Sequence, residues 1–242
     1  MGLDSSMTQI ICLANSWKHG ERCIAGINSL KRQWIRPVSD LPDGRIPKPM
    51  RQIAGREPTL LDILDIPLAK TGPDFGFEYE NLLVLPGQWR RVGQVPAGYL
   101  NKFCSREKYI LHNNERYVTV NFLQSLPVEQ RCTLQLVKAV EFLVQPIGVR
   151  DKGVEKWEGS LVTDCGQELT ATITDPVFVR HLELGYRPQN QCLVTVSLSM
   201  PWRPDDWKKD GDPCWKLIAG VIELPNKSGN KLRIGMDDEL PF

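Results

Sequence analysis

Cation beside aromatic is the recurrent pairing in this 242-residue chain. Trp17-Lys18 comes first, with Arg22 close behind. Trp34 and Arg36 share a strand face at a spacing of two. Trp89-Arg90 follows, then Trp202-Arg203, Trp207-Lys208-Lys209 and Trp215-Lys216. Lys102-Phe103, Arg106, Lys108 and Tyr109 repeat the theme without Trp. This pairing suits single-stranded nucleic acid, because rings stack on bases while cations line the phosphate path. The competing reading is structural. Trp in a small β-barrel is often core, and the neighbouring Arg or Lys then points outward. Trp34 suits either role equally. Trp202 and Trp207 sit among Pro and charged residues, which favours exposure, and exposure serves a protein interface as well.

Chemistry of the catalytic kind is not marked out. His19, His112 and His181 have no neighbours at metal-ligand spacing. No phosphate-cradling Gly loop, H-E-x-x-H or G-x-S-x-G occurs. No carboxylate pair is singled out for acid–base work. The expectation is a protein without cofactor, metal or catalytic residue, and not an enzyme. The seven Cys are odd in number, widely spaced and without C-x-x-C, which reads as reduced thiols in a cytoplasmic protein. No apolar run is long enough for a signal peptide or a membrane span. Net charge is +1, so any nucleic-acid surface must be a local basic patch.

These side chains need strands to carry them. Eighteen Pro and nineteen Gly punctuate short apolar runs along the whole chain. Strands are expected at 9–14, 22–28 and 33–38 as a meander, with Pro37 at an end or edge. A basic loop over 40–58 precedes runs at 60–68 and 81–84. A short helix is expected within 96–104 and a strand at 116–120. A second block opens near Cys132 with period-two alternation over 134–144. Strands at 157–163 and 168–173 flank the turn Asp164-Cys165-Gly166. Asp175-Pro176 reads as N-cap and first helical residue, with Gly185 past the helix end. Strands at 192–198 and 214–224 complete the block. Arg22-Cys23-Ile24-Ala25-Gly26-Ile27 is echoed by Lys216-Leu217-Ile218-Ala219-Gly220-Val221, so Arg22 and Lys216 are expected to hold matching places.

With Ile11-Cys12-Leu13-Ala14-Asn15-Ser16, Trp34-Ile35-Arg36-Pro37-Val38-Ser39 and Thr174-Asp175-Pro176, these stretches make the chain resemble a family of uncharacterised bacterial dual OB-fold proteins. The resemblance implies a mainly β protein of two small OB-like β-barrels with one or two short helices. Its divisions would be 1–130, 131–234 and an acidic C-terminal tip over 235–242. It carries no catalytic residues. Barrels of this class commonly bind oligonucleotides on one sheet face.

The end of the chain adds a second signal. Asp237-Asp238-Glu239-Leu240-Pro241-Phe242 runs from acid into an apolar tip. It suits a partner with a basic rim around an apolar pocket. It resembles the C-terminal tip of bacterial single-stranded-DNA-binding proteins, which implies recruitment of DNA-processing enzymes. The leading expectation is a non-enzymatic protein that binds single-stranded DNA, with RNA as the alternative ligand, and recruits repair or replication enzymes through this tip. The runner-up is an interaction adaptor of a bacterial defence or repair system that competes for the same enzyme pockets. A nucleic-acid hydrolase ranks third.

Overall fold

A computed structural model describes residues 6–18, 20–149 and 155–225. The first unit starts with three antiparallel strands, β1 (Ser6–Lys18), β2 (Glu21–Asn28) and β3 (Gln33–Val38). A one-turn helix, α1 (Lys48–Arg51), interrupts the basic loop before β4 (Asp62–Leu68) returns antiparallel to β1. β5 (Asn81–Leu83) then pairs parallel to β3. The bridge Leu68↔Val84, with Ala69 N–H donating to Leu83 O (2.9 Å), closes the ring from β5 to β4. β6 (Arg90–Gln94) adds to the free half of β4.

Pro37 sits inside β3 rather than at its end. Beyond Ile35 the strand has left its ladder with β2, and Pro37 pairs with Leu82 of β5 instead. Arg36 N–H donates toward β5, to Glu80 O (2.9 Å). The missing N–H of Pro37 therefore falls on the side where no ladder remains.

A connecting stretch carries the 3-10 turn Ala97–Phe103, where sequence suggested a short helix. It continues through β7 (Tyr117–Thr119) and α2 (Val120–Ser125). The second unit follows: β8 (Leu134–Val149), β9 (Glu155–Thr163), β10 (Glu168–Ile173), α3 (Pro176–Glu183), β11 (Cys192–Leu198) and β12 (Pro213–Glu223). Order β10-β9-β8-β11-β12, with a parallel β10–β12 pair, closes a five-stranded barrel. The Asp175 side chain caps α3, accepting from Val177 N (3.0 Å) and Phe178 N (3.1 Å), and Pro176 opens the helix. The first unit repeats this strand order, with α1 standing where α3 stands. The mainly β, OB-like architecture is thus established.

The division at residue 130 is not respected in space. β7 pairs with β12, and Ile110, Leu111, Val118 and Leu123 join the second barrel's core. These apolar side chains precede β8 in sequence, but they bury against its barrel.

The echoed Ala-Gly segments also turn out differently. One lies on β2, second strand of its barrel; the other lies on β12, fifth strand of the other. They are not topological equivalents. They meet at the junction of the barrels, where Ala14, Ala25, Leu134 and Ala219 form one small cluster. A Cβ on Gly220 would lie 2.4 Å from Leu13 O, and one on Gly26 would lie 2.1 Å from Ile11 O. Both glycines are there because backbone approaches backbone. Thr195 Oγ1 donates to Leu13 O (2.7 Å), and Trp17 N–H donates to Thr174 O (2.9 Å). A larger cluster of Ile11, Leu13, Leu100, Leu136, Leu193 and Ile222 fills the rest of the junction.

Candidate nucleic-acid interface

The β2–β3 turn is shaped by Asn28, whose Oδ1 accepts from Leu30 N (3.1 Å) and Lys31 N (2.9 Å). Arg32 follows in the left-handed region (φ 54), an uncommon conformation for a residue with a Cβ. Its guanidinium reaches 70 positions along the chain, donating Nη2 to Lys102 O (2.5 Å) and lying 5.6 Å from the Phe103 ring centre. Leu100, fully buried in the junction, anchors the 3-10 turn that presents Tyr99 and Lys102 outward. Lys102 Nζ sits 3.7 Å above the Tyr99 ring and 5.1 Å from Phe103. The two rings are 5.8 Å apart at 57°. A hydrogen bond from Lys102 lowers the Tyr99 phenol below its ordinary value.

The same segment is then tied to the second barrel. Ser105 N–H donates to Leu136 O (2.7 Å), and Gln135 Nε2 donates to Ser105 Oγ (2.6 Å) and Tyr109 O (3.3 Å). Gln167 Nε2 donates to Glu107 O. Lys31, Arg32, Lys102, Arg106 and Lys108 are all exposed along this course, and Glu107 is the sole acid within 29–33 and 97–109. The result is a basic strip with two rings, running from the first barrel onto the second.

The residues singled out by sequence are scattered around this strip. Trp17 is 40% exposed, with the Arg22 guanidinium 4.2 Å from its ring centre, much as Lys102 stands over Tyr99. Burial lowers the Arg22 pKa. Lys18 lies 6.0 Å from the Phe75 ring. Trp34 is half-buried against the junction clusters. Arg90 is exposed, 3.6 Å from Asp65.

Three expected surface groups are interior. Trp89 is 3% exposed and plugs the first core, so it offers no ring face to a base. Arg36 is 2% exposed. Its Nη1 pairs with Glu78 Oε1 (2.6 Å), and its Nη2 donates to Thr133 Oγ1 (3.0 Å). Lys216 is 3% exposed and donates to Asn113 O (2.6 Å) and Oδ1 (3.0 Å). Its acceptors are presented where Leu111 (φ 47) and His112 (φ 77) reverse the chain. The expected symmetry between Arg22 and Lys216 does not survive, since one covers a ring and the other is a buried structural donor.

Burial lowers Lys216 from 10.5 to about 8. A lysine depressed in the folded state contributes stability above its unfolded pKa and loses it as pH falls through the folded value. Raising pH from 7.5 to 9.5 should therefore stabilise the wild-type chain relative to Lys216→Met. Urea midpoints of both chains at the two pH values test this; parallel shifts would sink it.

The loop between β11 and β12 carries Trp202, Arg203 and Trp207. Trp202 is 64% exposed. Trp207 packs edge-on against Tyr117 (4.9 Å) and Trp215 (5.8 Å), with its Nε1 donating to Gly211 O (3.1 Å). Arg203 pairs with Asp212. Arg203, Lys208 and Lys209 face four acids here, Asp205, Asp206, Asp210 and Asp212, so this loop is no phosphate path. Among the described residues, no group of three or more His, Cys, Asp or Glu is placed to hold a metal, and no helix is long and apolar enough to cross a membrane. The tip, 237–242, lies outside the described residues.

Two joined five-stranded barrels, each with the parallel closure of an OB-fold, define the class. The chain belongs to the family described as the dual OB-containing domain, whose model matches residues 8–221. No curated protein matches it. Among solved structures it is similar to the tetrameric p202 HIN2, at 7% identity over 91% of this chain and 94% of that one. The TM-score is 0.30, too loose a superposition to speak to function.

Proposed function

We propose that the protein is a non-enzymatic binder of single-stranded nucleic acid, DNA in the first instance. The supporting observation is the strip itself: Lys102 over Tyr99, Arg32 beside Phe103, and three further exposed cations leading onto the second barrel. A base stacks on Tyr99 and Phe103, and phosphates follow the cations. Fluorescence anisotropy of labelled single-stranded DNA, RNA and duplex across a salt series tests this. Tyr99→Ala should cost about 1–3 kcal/mol of single-strand affinity. Arg32→Ala with Lys102→Ala should flatten the salt slope by about 1.4, since each single-strand phosphate contact contributes about 0.7. Affinity indifferent to all three substitutions would remove the strip from the reading.

Recruitment of DNA-processing enzymes through 237–242 belongs to the same proposal and rests on sequence. Phe242→Ala should abolish partner capture and leave DNA affinity intact. The adaptor reading has its own support. The exposed Trp202, on an acid-rich loop beside three packed rings, suits a protein partner better than a phosphate backbone.

A further inference from the structure

A cleft opens at the first barrel where α1 and the turn after it face residues 87–91. Its volume is about 560 Å³, and it is open to solvent. Met50 and Ile53 line it and rest on the first core, as does Trp89. Arg90 and Arg91 also line it, with side chains 64% and 49% exposed. None of the lining residues is acidic.

Both arginines keep donors in reserve. Arg91 donates Nε to Asp62 Oδ1 (2.6 Å), and the other Asp62 oxygen is occupied by Thr59 N and Oγ1 (each 2.9 Å). The terminal nitrogens of Arg91 have no acceptor among the described residues. Arg90 stands 3.6 Å from Asp65, beyond good hydrogen-bond length, and Asp65 already accepts from Gln9 (3.1 Å). The Trp89 indole N–H also lacks an acceptor among the described residues.

This combination selects against a base, because the one ring in the wall is 3% exposed. It selects for an aliphatic or aromatic side chain against Met50 and Ile53, joined to carboxylates that two guanidinium forks can take. The chain carries one segment of that chemistry, Asp237-Asp238-Glu239-Leu240-Pro241-Phe242. We propose that this cleft is a receptor for that segment: its carboxylates pair with Arg90 and Arg91, and its apolar end covers Met50 and Ile53. The proposal stands apart from the nucleic-acid reading, because it uses neither Tyr99 nor Lys102.

The test uses a fluorescein-labelled Asp-Asp-Glu-Leu-Pro-Phe peptide. The receptor is the full chain bearing Asp237→Asn, Asp238→Asn, Glu239→Gln and Phe242→Ala, so that its own segment does not compete. Saturable binding is expected, weakened at least about tenfold by Arg90→Glu with Arg91→Glu and unchanged by Lys102→Glu. Arg91 is the partner of the buried Asp62, so circular dichroism and a thermal melt check that the double variant is folded. Arg90→Glu alone, at a side chain 64% exposed and 3.6 Å from Asp65, should weaken binding in the same direction without touching that pair. The unmodified chain should bind the peptide more weakly than the substituted one. No saturable binding up to ~1 mM, loss through Lys102→Glu in place of the arginines, or equal binding by both chains would each overturn the proposal. Anisotropy with single-stranded DNA on the Lys102→Glu chain reports separately on the nucleic-acid reading.

Discussion

Arg36→Met should destabilise the protein by about 3–5 kcal/mol at neutral pH. The guanidinium lies in the interior between Glu78, Asn81 and Thr133, with Glu80 bound to the same threonine through Thr133 N (2.6 Å) and Oγ1 (2.9 Å). Burial alone would pull Arg36 down, but the charges of Glu78 and Glu80 and the hydrogen bond to Glu78 hold it above its ordinary value. Removing it leaves two buried carboxyl groups without a cation. Burial already raises Glu80 above the usual range, against the opposing pull of Arg36 and Thr133. A carboxyl raised in the folded state favours folding below its unfolded pKa, and that contribution is lost as pH rises through the folded value. Without Arg36 the rise is larger, so the penalty should shrink as pH falls from 7 toward the ordinary Glu range. Urea titrations of both chains at neutral and mildly acidic pH measure this. A penalty that stays constant or grows on acidification would show that Glu80 is not the group left exposed to the loss. Adding Glu78→Gln and Glu80→Gln should recover part of the stability, since uncharged side chains need no cation.

Gly220→Ala should cost at least the upper end of the roughly 1–3 kcal/mol typical of overpacking. The added methyl would meet Leu13 O at 2.4 Å and Leu13 C at 3.3 Å. A flexible side chain could swing aside, but these are backbone atoms of β1, at the bulge between the ladder pairs Cys12↔Gly26 and Ala14↔Ala25. Relief requires the barrels to part, which also breaks the bond from Thr195 to Leu13 O. Amide exchange should therefore accelerate along both sides of the junction, at 11–14 and 217–222. Gly98→Ala is the control, since nothing lies within 4 Å of its new Cβ; its effect should stay within about 0.5 kcal/mol. If the Gly220 variant matches the control, the junction is looser than its geometry implies.

Strands were legible where alternation was strong. Period-two alternation over 134–144 marked β8 as a strand, but Leu134 and Leu136 face the junction and Phe142 the barrel interior, the switch falling at the bulge between Ala139 and Glu141. Asp175-Pro176 announced α3 through local capping chemistry alone. Arg36 was misplaced because its partners, Glu78 and Glu80, come more than 40 positions later and look like loop acids. Trp89 was misplaced because the barrel needs a plug, and nothing local says which Trp supplies it. The strip was legible in pieces, as Lys31-Arg32 and Lys102-Phe103, but the contact joining them spans 70 positions. The Ala-Gly echo was visible and its meaning was not. Two segments that look like a repeat are two halves of one seam, alike because both need small side chains at the same place.

That seam makes the pair of barrels a ruler. Carbonyl and α-carbon stand nearly in contact across it, so the distance from the β2–β3 turn to the β9–β10 turn is set before any strand arrives. On the proposed single-strand reading, the backbone that carries the cations needs no reordering, so the ordering cost falls on their side chains and on the nucleic acid. Affinity should consequently climb in a step rather than a slope as oligonucleotides lengthen. The step comes at the length that first touches both barrels, and it vanishes in any variant whose seam has come apart.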